Sequence, residues 1–236
     1  MKSSVPQPSP PKPGARLLKA SASFTQPDVW LLDPAGEPRV WKTFRETPWL
    51  ARHTVGRYLA GREARNLRAL QGMARVPRLL GMPEPWTIEM SYLDAVPVPD
   101  QKLDHGLAPG FFEQLEAMLA EIHRRGLNHG DVRRLNVLRL RATGEPCLID
   151  FAQSMKASSP HSLFARVILR RAHHVDRLKF LKIKKWYLGY DVLSDAERAE
   201  YARKPLHLKL GRWLRDRVYR RAKHHMQGRR KRKQRR

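Results

Sequence analysis

The stretch that most restricts the fold is His129-Gly130-Asp131-Val132-Arg133-Arg134-Leu135-Asn136, followed by two short apolar runs and then Ile149-Asp150-Phe151. Upstream, Phe112, Leu115, Leu119 and Ile122 recur at helical spacing across residues 111–125, and Gly126 can end that helix in a left-handed conformation. Downstream, residues 137–140 and 147–149 flank Thr143-Gly144-Glu145-Pro146, a pattern that predicts a β-hairpin. Helix, polar loop and hairpin in that order bring Asp150 back beside Asp131 and Asn136. Such a gathering suits phosphoryl transfer, which needs a carboxylate beside the acceptor hydroxyl and oxygen ligands for magnesium. The alternative is two turn-forming acids and a turn asparagine in an unrelated α/β hairpin.

Ahead of this stretch the chain has the pattern of a small antiparallel meander. Short β-type runs occupy residues 17–22, 29–32 and 39–44, with Asp33-Pro34-Ala35-Gly36 as a turn between the last two. Residues 58–70 carry Leu59, Leu67 and Leu70 among arginines and glutamates, which predicts a helix with one buried stripe. Another strand pair is expected near Leu79 and over 86–92, and the Pro-rich residues 95–101 read as a connection. Within this half, Lys42 alternates with Trp41 and Thr43 as a strand residue does, and Glu63 lies on the helix that follows. The ordinary reading of each is an exposed strand lysine and a solvent-facing glutamate.

The residues from His129 to Asn136, with Ile149-Asp150-Phe151-Ala152-Gln153-Ser154, resemble the catalytic and metal-binding loops of the protein-kinase-like superfamily. With glycine between the histidine and the aspartate, they are similar to the RIO kinases and to the lipopolysaccharide (Kdo) kinases of bacteria. The resemblance spans residues 17–154 and implies an α+β, two-lobed protein-kinase-like fold. A small antiparallel-sheet lobe would precede a reduced, mostly helical lobe, with ATP and Mg2+ bound between them. It further implies that Asp131 orients and deprotonates the acceptor, that Asn136 and Asp150 hold magnesium, and that Lys42, braced by Glu63, contacts the phosphates. Residues 88–93 resemble the kinase hinge, which would place the adenine edge along Met90, Ser91, Tyr92 and Leu93.

Three departures stand out. No G-x-G-x-x-G lies between the first two strands, so phosphate contacts would pass to the hydroxyls of Ser23 and Thr25; and Ala152 stands where the metal-binding loop usually has glycine. No A-P-E segment follows Asp150.

Lys and Arg outnumber Asp and Glu by 47 to 22, a net charge of +25 that attracts nucleic acid, anionic membrane and phosphate-bearing substrates alike. Residues 212–236 hold 13 Lys or Arg against one acid, Asp216, as polyanion-binding tails do, whether the polyanion is RNA or an anionic inner leaflet. Cys147 is the single cysteine, so no internal disulfide forms, and it reads as a packed strand residue. The adjacent pairs His173-His174 and His224-His225 read as solvated or phosphate-contacting, and His129 as a loop-positioning group. Residues 163–184 read as a helix packing on the hairpin, or as a basic amphipathic surface for anionic lipid. Ser194-Asp195-Ala196-Glu197 is a capping box.

The expected organisation is a disordered Pro/Ser-rich leader over 1–14, an N-lobe over 15–93, a C-lobe over 94–211 and a basic tail over 212–236. The expected activity is transfer of the γ-phosphate to a hydroxyl, first on a lipopolysaccharide-type sugar, alternatively on a serine or threonine of a protein. In a third reading, a catalytically silent kinase-fold module binds RNA or anionic membrane through its tail. The expected location is the cytoplasm, or the inner face of its membrane.

Overall fold

A computed structural model of the chain describes residues 8–23, 25–32, 37–98, 107–108, 110–156 and 163–202. Alternating aromatic and aliphatic residues build a first sheet from β1 (Arg16–Lys19), β2 (Asp28–Leu32), β3 (Arg39–Thr43), β4 (Leu79–Glu84) and β5 (Thr87–Ser91). Neighbours are antiparallel in the order β1-β2-β3-β5-β4. Trp30 of β2 sits opposite Trp41 of β3. With Leu32 they form a buried cluster, against which Ala15 and Leu17 pack. The Lys12 ammonium lies 4.7 Å above the Trp41 ring, in a stretch whose composition alone suggests no structure. The expected turn at 33–36 lies outside the described residues.

The helix expected at 58–70 begins earlier. It runs as α1 (Trp49–Ala51), a π-turn (Arg52–Gly56) and α2 (Arg57–Ala69). No apolar stripe marks its start, because Trp49 and Leu50 are 66% and 67% exposed. At Gly56, the last residue of the π-turn, a Cβ would lie 2.8 Å from the Phe44 Cβ, so the helix passes Phe44 only at a glycine. α2 buries Ala60, Glu63, Ala64, Asn66 and Leu67, and so turns two polar side chains inward.

A second sheet combines β6 (Ala95–Pro97), β7 (Val137–Leu140) and β8 (Pro146–Leu148). The hairpin has the expected place, with Val137 opposite Leu148. The Pro-rich connection does not stay a connection, because Val96 and Pro97 pair with Arg139 and Leu138 at the sheet edge. Proline is tolerated on an edge strand, where its missing N–H interrupts no inner ladder.

α3 (Phe111–Arg124) buries Phe111, Phe112, Leu115, Met118, Leu119 and Ile122, and Gly126 follows it at φ 75°. α4 (Leu163–Leu188) buries Leu178, Phe180, Leu181 and Tyr187, as a lobe helix does. Its first turns differ, leaving Phe164, Val167 and Ile168 exposed. Cys147 is fully buried, which pushes its thiol up to about 12 and leaves it an inert packing residue.

By compactness the chain divides into residues Met1–Leu188 and Gly189–Arg236. In the second unit the capping box closes α5 (Asp195–Ala202), with Glu197 N–H donating to Ser194 Oγ at 3.2 Å and Ser194 N–H to Glu197 Oε2 at 2.9 Å. The basic tail at 212–236 lies outside the described residues.

Candidate active site

Strand alternation turns Trp41 and Thr43 to one face of β3 and Lys42 to the other. Lys42 Nζ donates to Glu63 Oε1 at 2.6 Å and to Asp150 Oδ1 at 3.0 Å. One ammonium therefore joins the sheet, α2 and the end of the hairpin. Burial by itself would lower the Lys42 pKa, but the carboxylates of Glu63 and Asp150 outweigh it and hold the pKa raised. At Asp150 burial opposes ionisation, and Lys42 more than offsets it, so the pKa lies below the usual carboxylate value. Burial pushes the Glu63 carboxyl up against the pull of Lys42, so the carboxylate of the cluster best suited to a divalent cation is that of Asp150.

Asp150 is held at φ 68°, a left-handed conformation that aspartate tolerates better than most residues. Among the described residues only Arg75 shares a positive φ outside glycine. Ala152 has no positive φ, so position 152 needs no glycine here. α2 clamps the same loop. Asn66 Nδ2 donates to the carbonyls of Phe151 at 2.9 Å and Ser154 at 3.0 Å, and Arg62 Nε donates to the Ala152 carbonyl at 2.5 Å.

Asn136 Nδ2 donates to the carbonyl and the Oδ2 of Asp131, at 2.9 and 3.0 Å. Arg133 Nε lies 2.9 Å from the same Oδ2. With its amide nitrogen committed to Asp131, Asn136 offers Oδ1 to a cation. Ile149 N–H donates to the Asn136 carbonyl at 3.0 Å, which ties Asn136 to the residue before Asp150. Among the described residues no three His, Cys, Asp or Glu side chains could together hold a metal. One carboxylate and one amide oxygen are nonetheless a fitting protein share for magnesium, which keeps waters and takes phosphate oxygens as ligands.

Glycine at 130 has a physical reason. Its φ is 81°, and a Cβ there would lie 2.5 Å from the Gln153 carbonyl oxygen. Gly130→Ala should therefore lower stability by about 2 kcal/mol or more, from backbone strain plus the collision. Thermal unfolding checks this, and a melting temperature equal to wild type would refute it. Ser154 Oγ donates to the His129 carbonyl at 2.8 Å, and Met155 N–H to Asn128 Oδ1 at 2.8 Å, so the two loops are fastened along their length.

His129 is fully buried with its ring against Phe151, and its Nδ1 accepts the Asp131 N–H at 3.3 Å. Burial lowers its pKa, so the ring is neutral at pH 7 and acts in positioning. His173 is half-buried. Its Nε2 donates to the Leu127 carbonyl at 2.8 Å, and its ring stacks on His123 at 3.9 Å. His224 and His225 lie outside the described residues.

Sequence reasoning missed Asp176, in the middle of α4. It is fully buried and accepts the backbone N–H groups of His129 at 2.6 Å and Gly130 at 3.0 Å, with His123 Nε2 at 3.3 Å. Lys179, one turn on, donates to the Gly130 carbonyl at 2.5 Å. The available signal was a single acid among the 26 residues of a basic helix.

The remaining candidates are less tightly drawn in. Ser23 and Thr25 sit on the exposed β1–β2 loop with their hydroxyls 3.0 Å apart. Met90 is buried, opposite Val40 and Leu79 on the flanking strands. Ser91 N–H donates to the Arg78 carbonyl at 2.9 Å and Tyr92 N–H to the Pro38 carbonyl at 3.3 Å, so neither is free to meet a base edge. Leu93 follows, half-buried.

Three solved structures similar to this chain are kinases. The Rio2 kinase from Chaetomium thermophilum is 17% identical over 75% of this chain and 60% of its own, with a TM-score of 0.52. Its ADP/Mg2+-phosphoaspartate complex is 19% identical, covering 75% and 58%, with a TM-score of 0.51. The Cydia pomonella Granulovirus kinase PK-1 is 15% identical, covering 82% and 77%, with a TM-score of 0.54. The chain thus spans about 60% of the length of the Rio2 structures that it matches. No curated protein sequence matches it. The two-lobed kinase fold expected from the sequence is the fold found. A model of the RIO domain matches residues 40–172, from the strand that carries Lys42 to the middle of α4, and the chain belongs to the RIO-domain family.

Proposed function

We propose that this chain is an ATP- and Mg2+-dependent phosphotransferase acting on a hydroxyl group. The observation that carries the reading is Lys42 held between Glu63 and Asp150, with Asp131 and Asn136 bonded to each other on the adjoining loop. Lys42 contacts the nucleotide phosphates and Glu63 keeps it in place. Asn136 Oδ1 and the Asp150 carboxylate hold Mg2+, which when bound neutralises charge on the phosphates. Asp131 accepts the proton of the acceptor hydroxyl as its oxygen bonds to the γ-phosphorus and the bond to the bridging oxygen of ADP breaks. The base edge of ATP meets backbone near Leu93, since the donors at Ser91 and Tyr92 are committed elsewhere. Ser23 and Thr25 offer hydroxyls above the phosphates.

The acceptor we favour is a sugar hydroxyl of a lipopolysaccharide-type glycolipid at the cytoplasmic face of the membrane. Its supports are the sequence resemblance and the exposed start of α4, where Phe164, Val167 and Ile168 lie among Arg166, Arg170 and Arg171. A serine or threonine hydroxyl of a protein is the second reading, favoured by the RIO-domain match.

The test is Mg2+-dependent release of ADP from ATP by the purified chain, with extracted glycolipid, with a protein acceptor and with neither. Release should vanish on chelation and fall about 100-fold or more in Lys42→Met, on the scale of removing one transition-state donor. Stimulation by only one acceptor identifies its class. Absence of both release and nucleotide binding would refute the enzyme and leave a binding module that acts through its basic tail.

A further inference from the structure

An open groove of about 560 Å3 lies away from the candidate site, between the outer face of α2 and Met82 of β4. Arg57, Tyr58, Gly61, Arg65 and Arg68 line it, and no acid does. On α2 these residues recur at helical spacing, so the arginines form one stripe about 16 Å long, while Glu63 and Asn66 face the other way. Arg65 Nε bonds only the Gly61 carbonyl of its own helix, at 3.3 Å, and among the described residues none of the three arginines makes an ion pair. Three adjacent cations without a counter-charge repel one another, and an incoming anion relieves that repulsion.

We propose that this groove binds single-stranded nucleic acid, with the arginines on successive phosphates and Tyr58 stacking on a base. The Tyr58 ring is 58% exposed, and the Arg62 guanidinium lies 5.9 Å from its centroid on one side. A row of phosphate-binding cations beside an aromatic platform is how proteins hold single strands without reading sequence. An acidic peptide would use the arginines and leave the ring idle. The chain's net charge of +25 adds long-range attraction for a polyanion. Gly61 leaves the floor open, since a Cβ there would meet nothing within 4 Å. This binding does not depend on phosphotransfer.

The experiment measures fluorescence anisotropy of labelled 12-nucleotide oligouridylate and oligoadenylate with the full chain, across a salt series. Replacing Arg57, Arg65 and Arg68 together by glutamine should weaken binding at least tenfold. The same change should reduce the slope of log affinity against log salt by about 2, at about 0.7 for each phosphate that the variant no longer neutralises. Tyr58→Leu should weaken binding about fivefold or more with the slope unchanged, and more for oligoadenylate than for oligouridylate. The charge-matched tail variant Arg229→Gln, Arg230→Gln, Arg232→Gln should lower the slope yet keep the Tyr58 dependence. All of these side chains lie at the surface or in the tail, and unchanged thermal unfolding will show that each variant is folded. Wild-type affinity in both groove variants would overturn the proposal, as would a poly-glutamate peptide that binds as tightly as the oligonucleotides.

Discussion

Asparagine at position 131 is expected to slow phosphotransfer by about 10²- to 10⁴-fold while leaving ATP and Mg2+ affinity within about twofold. The substitution keeps shape and removes the ability to accept a proton. Asp131 touches neither Lys42 nor Asp150; its side chain is held by Asn136 Nδ2 and Arg133 Nε. An amide oxygen can still accept both of those bonds, so the loop should stand and only the chemical step should suffer. The measurements are single-turnover transfer with the identified acceptor and calorimetric titration with ATP and Mg2+. A transfer rate equal to wild type would remove Asp131 as the base. A large loss of nucleotide affinity would move its role to metal or phosphate binding.

Alanine at position 176 should cost the most stability, about 3–5 kcal/mol, and most of the activity with it. Asp176 is a buried carboxylate whose two oxygens take the N–H groups of His129 and Gly130, with His123 as a third partner. Removing it leaves the buried N–H of His129 and the half-buried N–H of Gly130 without an acceptor, and an orphaned buried donor costs far more than an exposed bond contributes. The same two N–H groups hold the loop immediately before Asp131, so the base loses its position as the fold loses stability. For a folded unit of this size the melting temperature should fall by about 6–20 °C. Asp176→Asn, which restores one acceptor oxygen, should recover part of both losses. An Asp176→Ala protein that melts within about 2 °C of wild type would show that the loop holds itself.

Much of the architecture was legible beforehand. The meander, α3, the β7–β8 hairpin and the capping box of α5 all follow from patterns a few residues long. Asp131, Asn136 and Asp150 could be singled out because the elements between them are short and regular, so their spacing in the chain predicts their meeting in space. The errors have particular causes. Helix α1 was missed because Trp49 and Leu50 face solvent and leave no apolar stripe. Strand β6 was missed because the Pro-rich sequence around it resembles a linker until an edge position makes the lost donor of Pro97 harmless. The hydrogen bond of His173 was not legible because a histidine pair in a basic run gives no hint of the Leu127 carbonyl just beyond α3.

The sequence by itself therefore determined which local elements form, and which loop carries the acids, because helical and strand periodicity and turn chemistry act over a handful of neighbours. Only the tertiary structure decided that Lys42 meets Asp150 across 108 residues and that Asp176 reaches back 47 residues to hold His129. It also placed the left-handed residue of the loop at Asp150 rather than at position 152. Contacts at such separations leave no periodic trace, since they arise when packed elements bring unpaired donors and charges together in a space that water has left.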